Sequence, residues 1–84
     1  MNDAKRIAAY SVVAHHYNGR VELSEPTHES LAAARRHAMG IAKRCNHATI
    51  VATADGHVVD AFQAVIGLQG GRETKVVQAK WAIG

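Results

Sequence analysis

Residues 27–45 read THESLAAARRHAMGIAKRC, and the reading of this stretch decides the fold. Leu31, Ala34, Ala38, Ile41, Ala42 and Cys45 recur at helical spacing and form one apolar stripe. Arg36, Lys43 and Arg44 project from the opposite side, with His37 and Gly40 among them, and Arg35 sits at the boundary. Glu29 is the only acid here. Its i+4 position is Ala33, so it has no helical ion-pair partner. The stretch therefore reads as one amphipathic helix with an unneutralised basic face. Thr27 is the expected N-cap, with Pro26 ending the segment before it. Lys43 and Arg44 suit the negative end of the helix dipole, and Asn46 suits the position just past it. Gly40 lowers helix propensity by roughly 1 kcal/mol.

A hairpin is expected on each side of this helix. Residues 7–17 are rich in Ala, Val and Tyr, and residues 20–25 alternate Val21 and Leu23 with polar neighbours. Asn18-Gly19 lies between them, and a two-residue type I′ turn needs positive φ at both central positions. That turn would pair Tyr17 with Arg20, His16 with Val21, His15 with Glu22 and Ala14 with Leu23. It places Tyr10, Val12, Ala14, His16, Val21 and Leu23 on a core face. After the helix, residues 48–54 and 57–66 flank Asp55-Gly56 in the same way. Ala54 would then pair with His57, Ala52 with Val59 and Ile50 with Ala61. Thr49, Val51, Thr53, Val58, Asp60 and Phe62 would take the other face. Residues 67–71 are a Gly-rich connection, and residues 75–83 alternate as a fifth strand, with Val77, Ala79, Trp81 and Ile83 on its apolar side.

The expected fold class is α+β: an antiparallel sheet of about five strands with one helix on one face, in the order ββαβββ. One helix cannot cover five strands. Val13, Val51, Val58 and Phe62 are expected on the bare face, which is a homodimer seam or a partner surface. Trp81 is expected to be buried or at a subunit contact.

The 84 residues make a single domain near the lower size limit for an independent core. Much of its 48% apolar share is Ala, and it has one Trp, one Phe and two Tyr. The formal charge of +3 is compatible with nucleic acid, an acidic protein surface or plain solubility. Cys45 is the only cysteine, so no disulfide forms within the chain. With no signal peptide and no apolar run of spanning length, a cytoplasmic location and no membrane partner are expected.

The residue patterns point to no catalytic residues, no metal and no cofactor. His15 and His16 are strand neighbours and face opposite ways, with His15 across from Glu22. His28 and His37 are nine apart, about 90° from sharing a helical stripe. There is no Cys-x-x-Cys and no His-Glu-x-x-His. Cys45 lies on the apolar stripe as a small hydrophobe, with His47 its one local histidine. Ser11, Ser24 and Ser30 sit in no nucleophile elbow. Asp55 is accounted for by turn geometry. Gly67 to Arg72 lacks the Gly-Lys-Ser/Thr ending of a P-loop.

What remains is the basic helix face. Arg35, Arg36, Lys43 and Arg44 are the candidate partner-binding residues, since arginine grips planar anions with two bonds. The expected partner is a protein or nucleoprotein complex with an anionic surface, or nucleic acid itself. Tyr17 and Phe62 on the bare sheet face are candidates for base stacking, without an RNP-type signature. An enzyme whose pocket is completed by an oligomer is a third, weaker reading.

The whole-chain profile resembles small phage-encoded anti-CRISPR proteins in size, in layout and in the lack of a catalytic set. The resemblance rests on no shared motif, so it carries over no functional residue. It implies a non-enzymatic inhibitor that occludes a surface of a Cas effector complex and blocks target DNA binding. The positive charge argues against the acidic DNA-mimic subset. The alternative is a general nucleic-acid-binding module. A hairpin leading into an Ala-rich helix is also similar to small antitoxins.

Overall fold

A computed structural model of the chain describes residues 9–66 and 74–83. Its elements are β1 (Tyr10–His15), β2 (Val21–His28), α1 (Leu31–Ala42), β3 (His47–Ala52), β4 (Val58–Ile66) and β5 (Thr74–Gln78). A short 3-10 turn, Lys80–Ala82, follows β5. All strand pairs are antiparallel, in the order β2-β1-β3-β4-β5. The helix crosses one face, over β1, β3 and β4. The ββαβββ layout is as the sequence implies. The Gly-rich connection falls outside the described residues.

Ala34, Ala38 and Ala42 are fully buried, and their small side chains let α1 lie close to the sheet. They meet Val12, Ala48, Ile50 and Phe62, with Tyr10, Leu31, Ile41, Val59 and Val76 around the margin. Cys45 is buried too, its thiol donating to the carbonyls of Ile41 and His47 at 3.2 Å each.

The helix starts later and ends earlier than residues 27–45. Ser30, not Thr27, is the N-cap, its Oγ accepting from the Ala33 N–H at 3.1 Å. Lys43 is the C-cap, so Asn46 lies beyond the cap region. Thr27 belongs to β2, which continues past Pro26 to pair His28 with Tyr10. Because β2 is an edge strand, it tolerates a residue with no N–H to donate.

Both hairpins turn at the expected dipeptides, but neither has the two-residue register. Only the glycines take positive φ, +90° at Gly19 and +77° at Gly56, and no non-glycine residue among those described does so. A type I′ turn is therefore excluded. Around Gly19 the loop has three residues: the Gly19 N–H donates to the His16 carbonyl and the His16 N–H to the Arg20 carbonyl. His15 consequently pairs with Val21, Ala14 with Glu22 and Val13 with Leu23. This one-residue slip exchanges the faces of β2. Val21 and Leu23 turn to the bare side and are exposed, while Glu22 and Ser24 take the helix side.

The second hairpin slips likewise. Ile50 pairs with Asp60 and Ala48 with Phe62, and a bulge between Ile50 and Val51 shifts the register again. Phe62 is therefore a core residue beneath the helix, not a residue of the bare face. Val13, Val51 and Val58 do lie opposite the helix.

The fifth strand ends at Gln78, where the chain turns into the 3-10 segment. Trp81 is 62% exposed and rests edge-on against His47, with ring centroids 4.7 Å apart. It is not buried within the single chain. Trp81→Ala should cost only about 1 kcal/mol, well below the roughly 3–5 kcal/mol of a buried tryptophan. Its fluorescence should be that of a largely hydrated indole; a strongly blue-shifted emission from the monomer would contradict this placement.

Candidate functional site

The helix cations differ in what they face. Arg35 Nε donates to Asp60 Oδ2 at 2.8 Å, and Asp60 is almost wholly buried on β4. Burial alone would raise the Asp60 pKa. Donors from Gln78, Arg35 and the Ala61 N–H outweigh it and hold the carboxyl below its usual value. Arg35 is thus half of a structural ion pair. Arg36, Lys43 and Arg44 are exposed and make no ion pair among the described residues. Arg44 lies past the helix end and lines a cleft of about 260 Å³ between α1, β1 and β2. The cleft exists because the helix leaves the helix-side face of β2 largely uncovered.

The bare sheet face has its own pattern. His15 and His47 stack with centroids 4.2 Å apart, and Trp81 closes the row. His15 Nε2 is 3.0 Å from Thr49 Oγ1. His15 therefore does not face Glu22. That carboxylate accepts instead from His16, at 3.0 Å, and from Arg20, at 3.4 Å. Tyr17 is exposed at the hairpin tip, and Phe62, the other stacking candidate, is in the core.

A second cluster arises because His28 ends a strand instead of starting the helix. His28 Nε2 lies 2.9 Å from His37 Nδ1, and His37 Nε2 lies 3.0 Å from Ser24 Oγ. The two histidines come from different elements, His28 from β2 and His37 from α1, so helical spacing does not govern their separation. Ser24 and His28 pair with Val12 and Tyr10, which pack toward the helix. Strand alternation carried through Pro26 was the signal that joins these residues. Among the described residues, no group of three or more His, Cys, Asp or Glu could hold a metal.

Three histidines resist protonation. His37 is shifted down by burial, then by His28 and Arg44. His47 is lowered by burial and by His15, and His15 by burial and by His16. The unfolded chain therefore takes up protons first as pH falls through about 6.5, the ordinary histidine value. Because it then binds more protons than the fold does, stability drops on acidification. Thermal unfolding should show a lower Tm at pH 5 than at pH 7.5. An equal or higher Tm at pH 5 would contradict the burial of these rings.

No described helix is long and apolar enough to cross a membrane. Comparison with protein-family models, curated proteins and solved structures finds no match to this chain.

Proposed function

We propose that this protein works by binding an anionic macromolecular surface through Arg36, Lys43 and Arg44, as an inhibitor that occludes its partner without a chemical step. The resemblance to anti-CRISPR proteins supplies the class of partner: a Cas effector complex whose target DNA binding is blocked. The observation that carries the reading is the exposure of three cations with no acid paired to them among the described residues. Arg36 rides on a rigid helix, with Lys43 and Arg44 at its end, so little freedom is lost on docking.

Capture from host lysate after nuclease digestion tests the partner class. Recovery of a defined Cas complex supports the reading, and loss of every partner on digestion contradicts it. Direct nucleic-acid binding is the second reading, favoured by the His15–His47–Trp81 row on the open sheet face. It predicts affinity that falls steeply with salt. Reversing Arg36 and Lys43 to Glu should leave stability within about 0.5 kcal/mol, because both are exposed. The same change should weaken association by roughly tenfold or more, since it sets like charge against like.

A further inference from the structure

The Ser24–His37–His28 cluster has the connectivity of an activated nucleophile. A hydroxyl meets one ring nitrogen of a histidine, and a third residue holds the other nitrogen. The three residues come from two packed elements, β2 and α1, so their spacing is set by the fold. Ser24 lies in the wall of the cleft beside α1, with Ala14 and Ile41 as apolar lining and Arg44 as the permanent cation among its lining residues. The carboxylate in the same cleft, Glu22, is already engaged by His16 and Arg20.

The proton positions are consistent with a base. Burial, His28 and Arg44 all disfavour a charged His37, so the ring is neutral near pH 7. A neutral ring carries one N–H. When Nδ1–H donates to His28 Nε2, the free Nε2 accepts from the Ser24 hydroxyl. Arg44 raises the cost of charge on His37 but favours negative charge developing in the cleft.

We propose that Ser24 is the nucleophile of an acyl-transfer site for short-chain carboxylic esters, with His37 as general base, His28 as a positioning residue and Arg44 facing the oxyanion. The Ser24 oxygen forms a bond to the acyl carbon while its proton passes to His37 Nε2. The carbonyl π pair moves to oxygen. Its return breaks the bond to the alkoxide, which leaves with the proton from His37. Water, deprotonated by His37, then attacks the acyl-serine, and Ser24 leaves with that proton. The net reaction is ester plus water to acid plus alcohol. A cleft of about 260 Å³ suits a short acyl group, held against Ala14 and Ile41.

This site shares Arg44 with the proposed partner-binding surface but does not rest on that reading. The test is hydrolysis of p-nitrophenyl butyrate by the full chain, together with fluorophosphonate labelling mapped by mass spectrometry. Labelling should fall on Ser24. Ser24→Ala and His37→Ala should each lose about a hundredfold or more in rate. His28→Ala should lower kcat with KM nearly unchanged and move the pH profile, and His28→Asn should restore part of the rate. Absence of a Ser24 adduct would overturn the proposal. So would a Ser24→Ala variant, folded by circular dichroism, with unchanged hydrolysis, because imidazole alone would then account for the reaction. If Ser24→Ala does not fold, the labelling of the unmodified protein decides.

Discussion

Ile50→Ala should destabilise the protein by about 4 kcal/mol, the largest effect expected of any aliphatic truncation in it. Ile50 is fully buried in β3, the central strand, with β1 and β4 on either side and α1 above. The helix meets it with Ala34, Ala38 and Ala42, whose side chains are too short to move into the space left behind. The cavity therefore stays open, and the cavity cost adds to the lost transfer energy. A domain of this size has roughly 5–10 kcal/mol in total, so much of its stability would go. Urea unfolding should show a much lower midpoint with an unchanged slope. A loss below about 1 kcal/mol would mean that the helix is not seated on this strand.

Arg35→Ala should cost about 2–3 kcal/mol, the largest effect expected of any change at a charged side chain. The Asp60 side chain is 3% exposed and would lose its cation. It keeps the Gln78 amide and the Ala61 N–H, each at 2.9 Å. The guanidinium side of the pair is about half exposed, so water relieves part of the loss and the value sits below that of a fully buried pair. The pH dependence follows from the depressed Asp60 pKa. Its contribution is present above the usual carboxylate value of about 3.8 and is lost as pH falls through the folded value. The gap between native protein and variant should therefore be wide at pH 7 and narrow toward pH 3. A gap independent of pH would show that Arg35 acts through packing alone.

The architecture was legible because its signals are periodic. The apolar stripe of residues 31–45 and the glycine dipeptides between alternating runs each reflect a local geometric need. Register was not legible, because it hung on one dihedral. Asn18-Gly19 fits a two-residue turn with both residues at positive φ, and it also fits a three-residue loop in which Gly19 alone is positive. The fold uses the second. That choice moved Val21 and Leu23 onto the bare face, while the corresponding slip after Asp55-Gly56 moved Phe62 beneath the helix. Pro26 misled for a related reason. It ends a central strand but not an edge strand, and edge position follows from topology. A strand that ends at Pro26 puts His28 in the helix, whereas the strand that continues to His28 brings it against His37.

Arg36 is exposed on the helix as the pattern implies, Lys43 caps it and Arg44 lies past its end beside the cleft, while Arg35 takes a partner that no local pattern names. Asp60 lies 25 residues further along the chain, and only the slip of the second hairpin turns it toward the helix.

The most direct test of the binding account compares two variants against one partner. With a Cas effector complex captured after nuclease digestion, affinity and block of target DNA binding would be measured for the native protein, for Arg36→Glu/Lys43→Glu and for Trp81→Ala. The account predicts that the double reversal folds normally, weakens association by about tenfold or more and lifts the block, while Trp81→Ala binds nearly as the native protein does. Normal binding by the double reversal, with loss of binding on Trp81→Ala, would contradict it and move the interface to the open sheet face.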